Sequence, residues 1–250
     1  MPKLSLTLIT LNEADRLGAT LDAVRCADEI LVVDGGSSDD TVRIGRERGC
    51  RVIERRFEGF GPQKRFAAEQ ASNDWILNID ADEVLTPELN EEIRQLLANG
   101  DPPKAAYRVP MTLVFMGRVF RHGRHANERH VRLFDRRRAA YDSKEVHEGL
   151  VVDGPIGDLQ ARLHHHSFRD LSHFIDKMNA YTTLGARDLQ RRGKRRSAGL
   201  IALSAPYYFG ESYFLRGNFL NGAAGLCWSM LYATMPIVKY LKLLESRGES

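Results

Sequence analysis

Trp75-Ile76-Leu77-Asn78-Ile79-Asp80-Ala81-Asp82-Glu83 decides the fold: an apolar run of strand length that ends in alternating carboxylates. A buried strand finishing this way delivers negative charge to the carboxyl edge of a sheet, where open α/β folds bind their ligands. Charge so concentrated calls for a cation. A divalent ion gripped by one or two carboxylates keeps its other positions for water and phosphate oxygens. The plainer alternative is a solvated acidic turn ahead of the helix that Thr86-Pro87-Glu88 starts, with Thr86 as cap and Pro87 at the first helical position.

The text before this stretch repeats one cycle. Residues 4–11, Leu-Ser-Leu-Thr-Leu-Ile-Thr-Leu, read as a buried strand, after which Leu17, Leu21 and Val24 recur at helical spacing. Residues 29–34, Glu-Ile-Leu-Val-Val-Asp, form a second strand ending at Gly35-Gly36, and Ser37, Ser38 or Asp39 can cap the next helix. Arg51-Val52-Ile53-Glu54 is a third, leading through Gly59-Phe60-Gly61-Pro62 into a helix expected from about Gln63 to Ser72. Strand and helix alternating with short links predict parallel pairing and right-handed crossovers, hence the α/β class with a Rossmann-like, mostly parallel sheet. Leu89, Ile93, Leu96 and Leu97 mark one more amphipathic helix before Gly100-Asp101-Pro102-Pro103 breaks the pattern, which bounds a first segment, 1–103. In 104–168, strand-like runs at 106–114 and 130–134 separated by basic, glycine-containing loops predict a mixed region that completes the same domain. Leu171, Phe174, Ile175 and Met178 then open a helical third segment, 169–250.

At 250 residues the chain can bury a substantial core, and 43% apolar with 28% charged residues excludes a disordered chain. A formal charge of +3 is too small to imply a polyanion partner, and no nucleic-acid module is recognised, so nucleic acid is not an expected partner. Cys26, Cys50 and Cys227 are odd in number and widely spaced, which supports neither a disulfide framework nor a zinc site and fits a reducing cytosol. Met1-Pro2-Lys3-Leu4 runs straight into the first strand without the order of a signal peptide. Residues 217–238 carry no charge and approach the length of a bilayer span. Asn218, Asn221, Ser229, Thr234, Pro236 and the glycines dilute them, so the expectation is a helix that lies in the membrane interface or packs on the domain. With the basic residues of 187–196 ahead of it, this tail predicts contact with an anionic membrane surface.

Two more polar loops stand at strand ends. Thr10-Leu11-Asn12-Glu13 follows the first strand, and Asp34-Gly35-Gly36-Ser37-Ser38-Asp39-Asp40-Thr41 follows the second. Parallel strands put their carboxyl ends on one side, so both loops open on the edge that carries Asp80 and Asp82. Each has a structural alternative: Glu13 favours a helix dipole, Ser38 and Asp39 are ordinary caps, and the glycines make a turn. Three acidic clusters at three successive strand ends are harder to explain that way.

Together these three segments resemble the inverting family 2 glycosyltransferases with a GT-A fold. Phe60-Gly61-Pro62-Gln63-Lys64, Val146-His147-Glu148, Tyr213-Phe214-Leu215-Arg216-Gly217 and Lys239-Tyr240-Leu241-Lys242 are similar to the branch that adds glucose to the lipopolysaccharide inner core. The resemblance covers nearly the whole chain and implies a UDP-sugar donor, a lipid-linked heptose acceptor and a peripheral place on the cytoplasmic face of the inner membrane. It further implies that Asp34 contacts the base, that Thr10 and Glu13 line the nucleoside pocket, that Asp80 lies near the ribose, and that Asp82 binds Mg2+ or Mn2+. Lys64, after a Gly-Pro turn, can add a positive contact to the diphosphate, or be a solvated helix lysine. Arg132, in Arg132-Leu133-Phe134, can reach the phosphates or an anionic acceptor.

An inverting transfer needs one base to take the proton of the attacking hydroxyl. The resemblance places a His-Glu pair beside the acceptor, which selects Glu148, with Glu145 and Asp142 close enough in sequence to be the base instead. Within His164-His165-His166 adjacent residues cannot all face one ion. The family's His-Tyr-Ser-Phe pattern matches His165 to its histidine, which makes His165 the candidate metal ligand; the alternative is a set of partly exposed histidines on an edge strand. Two rival functions stay open: a related transferase acting on another glycolipid or polysaccharide, and a membrane-associated nucleotide-sugar binder without turnover.

Overall fold

The structure, a computed structural model, describes residues 1–142, 149–194 and 197–246, with Ala198 without its side chain. They divide into two compact units: Met1–Thr112 with Glu128–His165, and Leu113–Asn127 with the chain from His166 onward. The sequence segments 1–103 and 104–168 thus fall largely in one unit, while Leu113–Asn127 joins the helical segment.

In the first unit strands β1 (Leu4–Thr10), β2 (Glu29–Asp34), β3 (Arg51–Glu54) and β4 (Trp75–Asp80) alternate with helices α1 (Ala14–Asp22), α2 (Thr41–Glu47) and α3 (Phe60–Gln70). Strand order is β3-β2-β1-β4, all parallel, as the alternation predicts. β1 is buried along its whole length, and it sits between β2 and β4. Along the chain after them come β5 (Glu83–Leu85), α4 (Pro87–Ala98), β6 (Ala106–Phe115), β7 (Arg118–Val119), β8 (Glu128–Asp135), β9 (Ala139–Tyr141), β10 (Leu150–Val152), β11 (Ile156–Asp158) and β12 (Leu163–His165), the end of β6 from Leu113 and all of β7 belonging to the second unit. β8 lies antiparallel to β4 and to β6, β12 antiparallel to β5, and β9 and β10 form a separate antiparallel pair. The chain therefore adopts the expected α/β, GT-A-like plan, a parallel half followed by a mixed one.

Local signals account for most boundaries. Thr86 accepts a hydrogen bond from the Leu89 amide, Pro87 stands at the first helical position, and Leu89, Ile93 and Leu97 are buried on one face of α4. α3 begins at Phe60, earlier than Gln63, because Gly59 takes the turn at φ 122° and Pro62 sits in the first helical turn, where an amide has no intrahelical partner. β5 escapes the sequence reading because three residues carry no periodicity; its partner β12 lies about 80 residues away in the chain.

The second unit is built on α5 (Leu171–Arg191), α6 (Ala198–Gly210) and α7 (Gly222–Glu245). A π-helical turn, Glu211–Leu215, and a 3-10 turn, Asn218–Asn221, join α6 to α7. Phe115, Phe120, Phe174 and Trp228 form its aromatic core. The charge-free stretch 217–238 is not one helix: Gly217 and Gly222 adopt φ 73° and 63°, and the part inside α7 buries Ala224, Gly225, Trp228, Ser229 and Ala233. No described helix is long and apolar enough to cross a membrane.

Candidate active site

Thr10 ends β1 opposite Asp34 on β2, and Ile9 stands opposite Asp80 on β4. One sheet edge thus carries all three strand ends. Asp34 is wholly buried and its carboxylate is saturated: Oδ2 accepts from Thr10 Oγ1 at 2.9 Å and Ser37 Oγ at 2.6 Å, and Oδ1 from the amides of Gly36 at 2.9 Å and Ser37 at 2.7 Å. Four donors match the four lone-pair sites of a carboxylate, so a further donor has to displace one of them. Gly36, at φ 100°, permits this tight turn.

The first loop is stitched to the second. Asn12, in the left-handed region at φ 55°, donates its amide to Ser37 Oγ at 2.8 Å and accepts from the Ser38 amide at 2.9 Å. The Glu13 amide donates to Thr41 Oγ1 at 2.8 Å, and the Glu13 carboxylate pairs with Arg16 at 2.6 Å. Arg16 reaches Asp82 at 3.5 Å. This chain of contacts joins the Asp34 loop to the acidic end of β4, so Asp34 and Asp82 share one rim.

At that rim Asp80 lies between two cations, Lys64 of α3 at 3.1 Å and Arg132 of β8 at 3.2 Å. Burial pushes the Asp80 carboxyl up, but Arg132 and Lys64 outweigh it and hold the group below the usual range. Arg132 also pairs with Glu83, which is fully buried and accepts the Asp80 amide at 3.0 Å. Burial, with Asp80 adding to it, raises the Glu83 carboxyl above its ordinary value despite Arg132. Arg132 Nε is buried without a hydrogen-bond partner.

His165 reaches the rim through the β5–β12 pair, where it stands opposite Glu83. Its Nε2 is 3.5 Å from Asp82 Oδ2. Burial pushes the imidazole down, yet the hydrogen bond and charge of Asp82 lift it above its ordinary value. Asp82 is held below the usual range by His165 and Arg16, against the opposing push of burial. Two ligands each about 2.1 Å from a small divalent ion stand roughly 3 to 4 Å apart. The Asp82–His165 spacing fits such a shared ion; the carboxylate suits Mg2+ or Mn2+, and the imidazole is a softer donor more at home on Mn2+. Among the described residues no group of three or more His, Cys, Asp or Glu converges on one point.

Glu148 and Glu145 lie outside the described residues. The chain enters and leaves that stretch through a defined neck: the Asp142 amide donates to the Gly149 carbonyl at 2.9 Å, and Tyr141 pairs with Leu150. Tyr141 is buried; its hydroxyl donates to Asn78 Oδ1 at 2.9 Å, and its carbonyl accepts from Arg65 at 2.9 Å. Asp142 lines a small pocket with Arg55, Arg65 and Glu69 on the α3 side. The structure therefore brings Thr10, Glu13, Asp34, Lys64, Asp80, Asp82, Arg132 and His165 onto one rim. Sequence reading missed Arg16 and the roles of Glu83 and Tyr141. Only the acidic run around Glu83 carried a signal.

Residues 5–148 match the family described as Glycosyl transferase family 2. A lipopolysaccharide core biosynthesis glycosyltransferase, LpsC, of Rhizobium meliloti is 33% identical over 98% of this chain and 94% of its own length. An uncharacterized glycosyltransferase of Rickettsia typhi is 31% identical over 98% of this chain and 88% of its own. Among solved structures, mannosyl-3-phosphoglycerate synthase from Rubrobacter xylanophilus is 17% identical, with a TM-score of 0.48 over 79% of this chain and 78% of its own. With more than half its length matched, and a relative at 33% identity end to end, the chain belongs to glycosyl transferase family 2.

Proposed function

We propose that this family 2 glycosyltransferase moves glucose from UDP-glucose to a heptose of the lipopolysaccharide inner core in a single inverting displacement. The observation that carries the proposal is the shared rim: Asp34 at one end, Asp82 and His165 at the other, and the Lys64–Asp80–Arg132 cluster beside them. The core acceptor is supported by the name of the Rhizobium relative.

In this reading the Asp34 turn and Thr10 shape the base pocket, Glu13 borders the nucleoside, and Asp80 lies at the ribose. A base contact by Asp34 requires Thr10 or Ser37 to turn its hydroxyl away. Lys64 and Arg132 face the diphosphate. Asp82 and His165 would hold the divalent ion, Mg2+ or Mn2+, which when bound neutralises charge on the leaving diphosphate. Glu148 takes the proton of the acceptor hydroxyl on its carboxylate as the hydroxyl oxygen bonds to the anomeric carbon. The bond from that carbon to the β-phosphate oxygen breaks, and its electron pair leaves with UDP. Attack opposite the leaving group inverts the sugar with one carboxylate, where glycosidases use two.

A lipid-linked acceptor puts the reaction at a membrane. We place the protein on the cytoplasmic face of the inner membrane as a peripheral enzyme with an anionic lipid surface as partner. The exposed cations Arg187 and Arg191 support that placement.

The test is product mass from purified protein supplied with a panel of nucleotide sugars and truncated core acceptors, with and without chelator. Asp82→Asn and Glu148→Gln should each lower turnover about 100-fold or more. Wild-type turnover in both variants would overturn the chemistry.

A further inference from the structure

The second unit carries an apolar surface that its own core does not use. α6 contains no charged residue, and in a water-exposed helix the face away from the core is ordinarily polar. Here Ile201 and Ser204 face inward, while Leu200, Leu203 and Tyr207, at positions i, i+3 and i+7, stand on the outer face with Leu203 and Tyr207 each 65% exposed. The surface continues past the helix, where Phe214 is 61% and Leu215 83% exposed in the π-helical turn.

Between α6 and α7 an open groove of about 420 Å³ runs beside this face, lined by Pro206, Phe209 and Met230 with almost no polar surface. The one acid and one base of the turn neutralise each other: Arg216 donates to Glu211 at 2.6 Å and its guanidinium lies over the Tyr232 ring. No uncompensated charge therefore interrupts the apolar strip there. At the other end of α6 the picture reverses. Ile201 packs with Ala186, Tyr240 and Leu243, which brings the amino end of α6 beside the carboxyl end of α5, and there Arg187 and Arg191 are exposed.

We infer that the outer face of α6 and the Glu211–Leu215 turn lie flat in the headgroup layer of an anionic bilayer, with Arg187 and Arg191 on its phosphates. The inference deepens the reading of a membrane partner made above and moves the contact from 217–238 to the segment before it. The charge pattern selects this occupant. A second copy of the chain would set the cations of one copy near those of the other or leave them idle, whereas lipid phosphates complement them. Tyr207 is a residue type that settles at the water–lipid boundary, and Phe214 and Leu203 are types that fill the apolar face of an interfacial helix. α6 spans about 20 Å at 1.5 Å per residue, which suits a helix lying in the plane and is too short to span it.

The experiment is sedimentation of the full chain with vesicles of phosphatidylglycerol and phosphatidylcholine, and with phosphatidylcholine alone. Wild type should bind the anionic vesicles about tenfold more tightly and lose that margin in high salt. Leu203→Glu/Tyr207→Glu should weaken binding to the anionic vesicles at least about tenfold, with unchanged circular dichroism and melting temperature and unchanged turnover on a soluble, lipid-free acceptor. Arg187→Ala/Arg191→Ala, which leaves the core untouched, should remove only the salt-sensitive part. Asp82→Asn should bind vesicles like wild type, so loss of the chemistry and loss of the surface are told apart. Full vesicle binding by the Leu203/Tyr207 variant, or a lipid-free dimer that this variant abolishes, overturns the inference.

Discussion

Glu29 illustrates what a single carboxylate does at the amino edge of the sheet. It accepts from Ser5 Oγ at 2.5 Å, the Ser72 amide at 2.7 Å and Ser72 Oγ at 2.8 Å, and pairs with Arg51 at 3.3 Å. Burial raises its carboxyl, but the Ser5 and Ser72 hydrogen bonds and Arg51 outweigh that and leave it below the ordinary glutamate value. A group lowered on folding stabilises the protein above the unfolded value, about 4.3 for glutamate, and that contribution is lost as pH falls through the folded value. Melting temperatures of wild type and Glu29→Gln should therefore differ by a constant margin from pH 7 to 5 and converge below about pH 4. A margin that widens in acid would refute the assignment. The site residues divide in the same way by what holds them. Asp34 and Asp80 were legible because each terminates a strand, and Asp82 because it stands in the turn directly after Asp80; strand ends can be counted along a sequence. Arg16 was not, since its contact with Asp82 joins residues 66 positions apart and no spacing encodes it. Asp34 was legible as a position, while its saturation by Thr10, Gly36 and Ser37 depends on a turn geometry visible only in three dimensions.

At the level of elements, periodicity located the parallel strands and α4, whereas β5 and β12 are three residues each, held by pairing distant in sequence, β5 on β12 and β12 between β5 and β6. That pair brings His165 to Asp82, so the least legible element positions one of the most specific contacts. The connection from α6 to α7 makes a similar point. Its 3-10 turn lies within the charge-free stretch 217–238 and its π-helical turn just before it, and no sequence period marks either. Here Gly225 has a concrete role: a Cβ at this position would collide with the Asn218 carbonyl oxygen, which is backbone and cannot rotate aside. Asn218 is in turn fixed by a hydrogen bond from its side chain to Ser212 Oγ at 3.0 Å. Gly225→Ala should destabilise the protein by about 1–3 kcal/mol through this overpacking, despite the better helix propensity of alanine. Urea titration measures it, and an unchanged or raised midpoint would contradict the packing described.

For the whole molecule, the class and the order of a parallel half before a mixed one followed from alternating strand and helix text. The assignment of Leu113–Asn127 to the helical unit did not, because contact in space, not continuity in sequence, defines a unit. Ligand linkage acts on this scale. A donor that binds only the folded chain stabilises it by about 2.7 kcal/mol when present at 100 times its dissociation constant. UDP with Mn2+ should raise the melting temperature by several degrees, chelator should cancel most of the rise, and Asp82→Asn should be insensitive to the metal. A chelator-independent rise would separate nucleotide binding from the ion.

Lys64 and Arg132 are both already engaged with Asp80. On the proposed reading, donor capture would therefore be a change of partners and not the filling of a bare positive hole. The aspartate would compete for both cations throughout, tempering the grip on substrate and reclaiming its companions as spent nucleotide departs. A built-in rival of that kind would favour turnover over tight retention.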